Sequence, residues 1–278
     1  MKFTIISDSC TNLFPRDLQS AKIDFKIVPL TLIIEDREFI DDETLNVGDF
    51  VSQMNASKAC ARSACPNPEA FYAAMDGCDN VIVVTITSKL SGTHASAIQA
   101  AEKFRSNYPN KKIFVLDSLT AATGIDYILF KLRDLIEVGV YEFEDIIAKI
   151  GEVQKATHVR FLIQDLSNLI KNGRLGKVTG ALLSTVKIKL ICGDDGAGEI
   201  KKYGMAMGTK HALKALAELA IKAVKAEDPI YINHVNNEDD VVFLKGVFDA
   251  AGYKNVKSYA MRGLSSLYSA DKGIIIAY

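Results

Sequence analysis

The hydrophobic positions in the first half of the chain alternate between short β-patterned runs and segments of helical period. The apolar runs predict strands at residues 3–6, 25–34, 81–86 and 112–116. The helical periods lie at residues 15–20, 47–54, 69–75, 93–108, 121–138 and 141–156, and residues 63–68 are predicted to be a proline-stiffened loop. Strands that alternate with helices are typical of parallel β-α units, so this half predicts an α/β domain on a parallel sheet.

The second half also mixes strands and helices but contains a hairpin. Apolar runs around the turn at residues 194–198 predict a β-hairpin of residues 187–192 and 199–207. Further strands are predicted at residues 158–163, 229–234, 256–260 and 273–278, and helices at residues 165–171, 180–184, 209–226 and 239–251. We place a domain boundary after residue 156, which gives an N-terminal α/β domain of residues 1–156 and a C-terminal α/β domain of residues 157–278. No Pro- or Ser-rich linker separates the two, so they are expected to pack firmly on each other.

The loop at residues 88–97 joins a buried strand to a helix and allows two interpretations. Ser91 or Thr93 can simply cap the helix, as most helices require. Alternatively, the hydroxyls and the free N–H groups of the loop, including that of Gly92, form a site for an anion at the start of the helix. The local pattern leaves both interpretations open.

Three predicted strands of the first half end in loops that carry a serine: Ser9, Ser91 and Ser118. In open α/β sheets the ligand binds beyond the carboxyl ends of the strands. These hydroxyls are therefore expected to meet at one edge of the sheet. For any one of them, an ordinary turn or cap is the alternative.

Composition and charge exclude several classes of protein. The 278 residues include 33 basic and 34 acidic side chains, for a formal charge of −1, which argues against a broad nucleic-acid footprint. No apolar run approaches the roughly 20 residues of a membrane span, and the first residues are expected to form a strand rather than a signal peptide. Five cysteines without a C-x-x-C pattern predict a reduced cytoplasmic setting, and the four histidines lack metal-ligand spacing, so no structural metal is expected.

The candidate chemistry consists of neutral hydrogen-bond donors. Residues 173–177 resemble a phosphate loop but lack the Walker spacing, and neither a dinucleotide fingerprint nor a G-x-S-x-G elbow occurs. Neutral donors can hold a carboxylate that is buried together with an apolar body, where a lone ionised side chain would be costly. His94 is the local candidate base for a serine hydrolase, although an isolated histidine is more often exposed or packed. The donors are Ser9, Ser63, Ser91, Thr93 and Ser118.

Several motifs in order resemble those of the DegV family, the bacterial fatty-acid-binding proteins that include the carrier subunit of fatty acid kinase. Residues 88–97 match the pattern S-x-L-S-G-T-x-x-S-A. The other matching stretches are a D-S-x-x-D/N-L-like start at residues 8–13, a D-S pair at residues 117–118 with Gly124, an L-x-x-L-x-x-G-R-like segment ending at Arg174, and an I-K pair at residues 188–189. The resemblance covers essentially the whole chain.

This resemblance implies a two-domain DegV-like fold, also known as the EDD fold, with a lipid site between the domains. The implied ligand is a long-chain fatty acid, bound without covalent chemistry or cofactor. By motif, Ser63 and Ser91 occupy the positions whose hydroxyls hold the carboxylate in the family.

Two departures from the family pattern concern its kinase partner. Met207 stands where kinase-partnered members have an arginine, and the stretch from Tyr268 replaces their His-x-G-P-G. The resemblance links these positions to the partner and to phosphate handling. Arg174, Met207 and Tyr268 are therefore candidate partner contacts. Two functions remain as alternatives to simple lipid binding: an acyl carrier for a fatty acid kinase, and a serine-dependent acyl hydrolase.

Overall fold

The computed structural model describes residues 2–175 and 188–278, which form an α/β structure with three sheets. The helix predicted at residues 180–184 and the first residue of the predicted hairpin lie outside the described residues. The strands are β1 (Phe3–Asp8), β2 (Ile23–Val28), β3 (Thr31–Ile34), β4 (Arg37–Ile40), β5 (Arg62–Ala64), β6 (Asn80–Thr85), β7 (Lys112–Asp117), β8 (Val159–Leu162), β9 (Ile188–Asp194), β10 (Ile200–Met207), β11 (Ile230–His234), β12 (Val256–Ala260) and β13 (Ile274–Ala277).

The helices follow the predicted periods to within about two residues at either end, apart from one additional helix and one that is markedly shorter. They are α1 (Pro15–Leu18), α2 (Val47–Ala56), α3 (Pro68–Met75), α4 (Thr93–Asn107), α5 (Thr123–Val138), α6 (Phe143–Ala156), α7 (Ser167–Lys171), α8 (Thr209–Ile221), α9 (Glu238–Ala250) and α10 (Gly263–Ser269). Helix α8 ends at Ile221, before the predicted residue 226, and the sequence pattern did not predict α10. None of these helices is long and apolar enough to cross a membrane.

The first sheet has the strand order β2-β1-β6-β7 and is parallel throughout. Every residue of β1 is buried, as are residues 81–85 of β6, because helices cover both faces of the sheet. Such strands are near-continuous apolar runs, and this continuity makes them recognisable from sequence. The predicted parallel N-terminal sheet is confirmed.

The single strand predicted at residues 25–34 is wrong, because Pro29 divides it. Proline lacks the N–H that a ladder needs, and β2 ends at Val28. Strand β3 then joins a separate antiparallel sheet of order β4-β3-β5. The prediction that residues 63–68 form only a loop is wrong in part, since Ser63 and Ala64 belong to β5, where Ser63 pairs with Leu32.

The second large sheet has the order β10-β9-β8-β13-β11-β12 and is mixed. Strands β11 and β12 are parallel, and the other neighbours are antiparallel. The predicted hairpin is present as β9 and β10, with a bulge between Lys202 and Gly204 that shifts the register of the two strands by one residue. This sheet belongs to the α/β second half that the sequence predicts.

One hydrophobic cluster runs through both halves of the chain. It joins Phe3 and Ile82 of the first sheet, through Ile128 of α5, to Phe161 and Ile275 of the second sheet. The hydroxyl of Thr123, at the start of α5, also donates to the carbonyl of Ile275. The two halves therefore pack through a shared core, while a domain boundary after residue 156 stays a prediction.

Candidate functional site

A cavity of about 370 Å³ lies between the carboxyl ends of the first sheet and the face of the second. Its volume is within the range of about 300–1,000 Å³ that is usual for small-molecule sites. The first half contributes residues that follow β1, β2, β6 and β7, and the second half contributes side chains of β8 and β13. The apolar lining includes Leu30, Ile86, Leu90, Val159, Phe161, Ile163, Leu169, Ile200, Leu264 and Ile275.

The loop after β6 forms one wall of this cavity and is held from both sides. The backbone N–H of Thr87 donates to the carbonyl of Thr120 at 2.9 Å, and its hydroxyl donates to the carbonyl of Gly198, in the hairpin turn, at 3.2 Å. The N–H of Ser91 then bonds back to the carbonyl of Thr87. This fixed loop places Ser91 and Gly92 on the cavity.

Ser91 combines the two roles that the sequence left open. Its hydroxyl accepts the backbone N–H of Thr93 at 3.3 Å, and it lies 2.9 Å from the Thr93 hydroxyl. Gly92 occupies the N-cap position of α4 and has no side chain to cap it. Ser91 therefore supports the helix start while it lines the cavity, whereas Thr93 is buried beneath it and is not part of the lining.

Ser63 and Tyr268 meet across the two halves of the chain. Ser63 lies in β5, Tyr268 lies in α10, and their hydroxyl oxygens are 3.0 Å apart. Both side chains line the cavity. The family pattern marked Tyr268 as a candidate partner contact, which stays a prediction, and the structure places it beside Ser63, a predicted carboxylate ligand.

The Ser63 segment also approaches the Ser91 loop. A Cβ added to Gly92 would lie 3.3 Å from the sulfur of Cys65, so the two segments touch there. Arg174 lines the same end of the cavity, and its Nε donates to the carbonyl of Leu90 at 3.3 Å. The structure therefore brings together two predicted serines, one tyrosine and one arginine at one end of a cavity whose lining is mainly, although not entirely, apolar.

Ser9 and Ser118 have local partners and do not line the cavity. The hydroxyl of Ser9 accepts the backbone N–H of Leu30 at 3.0 Å. Ser118 donates to the carbonyl of Thr120 at 3.1 Å and accepts the N–H of the same residue at 3.2 Å. Both serines are fully or almost fully buried, so they hold the loops around the cavity rather than facing it.

Met207 lies away from this site. Its side chain is 70 % exposed at the end of β10, on the edge of the second sheet. Met205, two residues earlier on the same face of the strand, is 48 % exposed. Of the three candidate partner contacts, Met207 is therefore the one on an open surface outside the cavity.

Buried carboxylates hold the strand ends in place, and the sequence motifs did not single them out as part of the site. Asp8 accepts the N–H groups of Cys10 at 2.9 Å and Ile86 at 2.7 Å, and both of these residues line the cavity. Burial raises the pKa of Asp8 to about 6, although these hydrogen bonds oppose the shift. The sequence feature that could have identified Asp8 is its position, since it is an acidic residue at the end of a buried strand, directly before Ser9.

The buried carboxylates of Asp126 and Asp41 also hold loops and helix ends in place, and their partners are more than 100 residues away in the sequence. Asp126 accepts bonds from the Thr11 hydroxyl and from both nitrogens of Asn12, and burial raises its pKa to about 6. Asp41 accepts the N–H groups at the start of α10, from Gly263 and Leu264, and burial raises its pKa as well. These bonds position α10 and hence Tyr268.

The geometry gives no nucleophile and base pair at the predicted position. His94 Nδ1 lies 3.0 Å from the hydroxyl of Thr85, whereas the hydroxyl of Ser91 is engaged with Thr93. A general base needs hydrogen-bond reach to its nucleophile. Within residues 2–175 and 188–278, no three His, Cys, Asp or Glu side chains are grouped to hold a metal ion. What the site offers is binding through hydroxyls and an apolar wall.

Comparison with known proteins decides the family. A family model described as uncharacterised proteins of the DegV family matches residues 2–273. The chain belongs to the DegV family. A DegV domain-containing protein of Streptococcus pyogenes serotype M1 is 34 % identical over 282 residues, covering 100 % of this chain and 99 % of the relative. The resemblance stated from the motifs is thereby confirmed.

Solved structures of DegV-family proteins share the fold over the whole chain. A Ruminococcus gnavus protein with vaccenic acid has a TM-score of 0.93 at 27 % identity, covering 100 % of this chain and 99 % of that one. The Streptococcus pneumoniae Fatty Acid Kinase (Fak) B3 protein, loaded with linoleic acid, has the same TM-score and coverage at 31 % identity. A Eubacterium eligens protein loaded with heptadecanoic acid has a TM-score of 0.91 at 29 % identity, covering 99 % of this chain and 98 % of that one. The predicted DegV-like fold is confirmed.

Proposed function

We propose that this chain binds one long-chain fatty acid, without covalent chemistry, in the cavity between its two halves. The observation that carries the proposal is a mainly apolar cavity in which the hydroxyls of Ser63, Ser91 and Tyr268 lie together at one end. The three DegV-family structures loaded with vaccenic, linoleic or heptadecanoic acid support it. The function is binding of an acyl chain rather than catalysis.

The hydroxyl end of the cavity suits the carboxylate. Ser63 and Tyr268 share one hydrogen between their oxygens, so the second hydroxyl hydrogen of the pair is available to a ligand. Ser91 and the N–H groups at the start of α4 add donors, and Arg174 adds a positive charge at the rim. A carboxylate held this way needs no fully buried counter-ion.

The tail supplies most of the binding free energy in this proposal. Burying about 14 methylenes at about 0.8 kcal/mol each gives roughly 10 kcal/mol. The loss of translational freedom and the ordering of the chain offset a large part of this gain. Micromolar or tighter affinity is the expected result, and the hydroxyls set the orientation of the ligand.

The direct test is the ligand that purifies with the protein. Native mass spectrometry and lipid extraction should find one fatty acid per chain, and the delipidated protein should bind palmitate or oleate in a calorimeter. A protein that purifies empty and takes up neither acid would contradict the proposal.

A double variant tests the carboxylate end. Ser63→Ala with Ser91→Ala should weaken palmitate binding by about 1–3 kcal/mol, because two hydrogen bonds from hydroxyls to the ligand carboxylate are lost. Ser106→Ala, at an exposed position near the end of α4, is the matched control and should bind as the wild type does. Unchanged affinity in the double variant would place the carboxylate elsewhere.

A second candidate is an acyl carrier that a fatty acid kinase recognises. The likeness to the Fak B3 protein favours it, as does the exposed apolar pair Met205 and Met207 on the edge strand. If the kinase docks there, Met207→Asp should abolish retention of a fatty acid kinase catalytic subunit in a pull-down while palmitate binding persists. Absence of any retention by the wild type would reject this candidate.

We also propose a cytoplasmic location and a domain boundary between residues 156 and 157. All five cysteines are free thiols, which suits a reducing compartment. Helix α6 ends at Ala156 and β8, in the second large sheet, begins at Val159. Cell fractionation tests the location. Limited proteolysis tests the boundary, with cleavage expected near residue 157.

A further inference from the structure

The wall that α10 contributes to the cavity carries hydroxyls where apolar side chains would match an alkyl chain. Four residues of this seven-residue helix line the cavity, namely Leu264, Ser265, Tyr268 and Ser269. Tyr268 belongs to the carboxylate end, beside Ser63. A simple fatty acid has no further polar atom for the hydroxyls of Ser265 and Ser269.

Ser265 and Ser269 are four residues apart in α10 and therefore lie on the same face of the helix. Side chains in this relation have their Cβ atoms about 5–6 Å apart. One oxygen atom placed between two such hydroxyls is within hydrogen-bond distance of both. Ser265 is 4 % exposed and Ser269 is 1 % exposed, so protein surrounds the pair on every side but that of the cavity.

The two hydroxyls retain complementary hydrogen-bonding capacity. Ser265 donates to the carbonyl of Cys10 at 3.3 Å, which leaves its oxygen as an acceptor. A serine in a helix usually bonds to nearby backbone in this manner. The hydroxyl of Ser269, however, makes no hydrogen bond within the described residues, so its donor and its acceptor are both available. Thr120 also has an unpartnered hydroxyl, but that hydroxyl is turned against Gly124 of α5.

The serine pair lies near the carboxylate end of the cavity. Ser269 directly follows Tyr268 in the chain and packs against Gly273, just before β13. Strand β13 begins where the antiparallel β8 ends, with Ile274 opposite Leu162. Val159, at the other end of β8, also lines the cavity, about 10 Å along the strand. A ligand whose carboxylate lies beside Tyr268 therefore passes the serine pair before its tail reaches Val159.

We propose that the cavity is specific for a hydroxylated long-chain fatty acid, whose hydroxyl group, on the carboxyl half of the chain, binds between Ser265 and Ser269. The ligand hydroxyl donates to the oxygen of Ser265 and accepts the hydrogen of Ser269. A plain alkyl chain leaves the Ser269 hydroxyl buried without a partner, which costs binding free energy. The inference deepens the proposed function and rests on it, because it takes the carboxylate to be at Ser63, Ser91 and Tyr268.

The test compares octadecanoate with its 3-hydroxy, 7-hydroxy and 18-hydroxy derivatives on the delipidated full-length protein, by calorimetry below the critical micelle concentrations. The wild type should bind the 3-hydroxy or the 7-hydroxy acid about tenfold more tightly than octadecanoate, the effect of two neutral hydrogen bonds. The 18-hydroxy acid should bind no more tightly than octadecanoate. In the double variant Ser265→Ala with Ser269→Ala, the affinity ratio of hydroxy acid to octadecanoate should fall to about one.

Ser266→Ala is the matched control, because Ser266 lies in the same helix, donates to the carbonyl of Met261 and does not line the cavity. It should keep the wild-type affinity ratio. The ligand comparison on the wild type needs no variant, so it decides the inference even if the double variant does not fold.

Three outcomes overturn the inference and leave fatty-acid binding intact. They are equal affinity of the wild type for octadecanoate and for both acids hydroxylated in the carboxyl half, a preference for the 18-hydroxy acid, and a preference that survives in the double variant. If none of the four acids binds, the proposed function itself fails.

Discussion

The loops after β6 and β7 leave neighbouring parallel strands at the same edge of the first sheet, and each carries a serine before a helix. Ser91, in the first loop, lines the cavity and meets the hydroxyl of Thr93. Ser118, in the second loop, makes both of its hydrogen bonds with the backbone of Thr120 and is 1 % exposed. Equivalent positions in the sheet therefore carry one binding residue candidate and one structural residue.

The difference between them arises from how each loop continues. After Ser118 the chain turns sharply, with positive φ at Leu119 and Ala122, and this turn brings the Thr120 backbone to the hydroxyl. After Ser91 the chain enters α4 directly, so the hydroxyl stays at the rim of the cavity. A serine at a strand end is available to a ligand only where the following backbone leaves it free.

The largest effect is expected beneath the β7 loop, at Gly124. A Cβ there would press on the side chain of Thr120 and lie 2.6 Å from a methyl carbon of Val159, so Gly124→Ala should lower the free energy of unfolding by about 3 kcal/mol. Gly151→Ala, inside α6 with open space around it, is the control and should raise it by about 0.5–1 kcal/mol. Urea denaturation measures the free energy of unfolding of both variants. Equal changes would mean that the residues around Gly124 are not closely packed.

The next effect concerns Asp8, whose carboxylate holds Ile86 at the start of the β6 loop. Burial raises its pKa from the ordinary value of 3.8 to about 6, so the folded protein binds the proton more tightly than the unfolded chain does. This contribution to stability is fully present below pH 3.8 and is lost as the pH rises through about 6. Between about pH 4.5 and 7.5 the loss is about 2 kcal/mol.

The variant Asp8→Asn should remove this part of the pH dependence. Urea denaturation at intervals between about pH 4.5 and 7.5 would then show a flatter profile than the wild type. Asp24→Asn, at a partly exposed position in β2, is the control and should keep the wild-type profile. Parallel profiles for wild type and Asp8→Asn would mean that Asp8 stays ionised over this range.

Ser118→Ala should give a smaller, purely structural effect. Two hydrogen bonds to the buried Thr120 backbone are lost, so the free energy of unfolding should fall by about 1.5 kcal/mol. Palmitate affinity should stay close to that of the wild type, because Ser118 does not line the cavity. Thermal denaturation measures the stability, and calorimetry measures the palmitate affinity. A variant that kept full stability but lost affinity would show that Ser118 is a binding residue rather than a structural one.

Ser91→Ala should show the opposite behaviour with the smallest effect. The free energy of unfolding should fall by about 0.5–1 kcal/mol, because the side chain is only partly buried but its hydrogen bonds to Thr93 are lost. Palmitate affinity should fall about fivefold, because one hydrogen bond from a neutral hydroxyl to the ligand carboxylate is lost. If Ser91→Ala destabilised the fold as much as Ser118→Ala, the two loops would not differ as described.

Much of the fold was predictable because its signals are local. The runs of β6 and β7 are continuous and apolar, and α5 and α6 keep a helical period over their full lengths, so their positions follow from pattern alone. Helix α10 was missed since it has only seven residues and begins at Gly263, whose N–H is bound by Asp41, 222 residues away in the chain. A short helix held by so distant a carboxylate leaves no periodic signal.

The candidate site divides in the same way. The motif around residues 88–97 identified Ser91, and the motif position identified Ser63, from the order of residues alone. The sequence did not indicate that Tyr268 would lie 3.0 Å from Ser63, because the two are 205 residues apart. The sequence also did not show that Ser118 and Ser91 have different roles, because their hydrogen-bond partners depend on backbone turns rather than on residue type.

The sequence by itself determined the family, the alternation of strands and helices and the serines at the strand ends, because each of these is written in neighbouring residues. Only the tertiary structure decided which hydroxyls reach the cavity and which are used by the backbone. It also decided that Tyr268 joins Ser63, and that Arg174 reaches the carbonyl of Leu90 in the loop after β6. Such neighbourhoods form when distant segments pack around one core, and hydrogen bonds act over distances in space rather than along the chain.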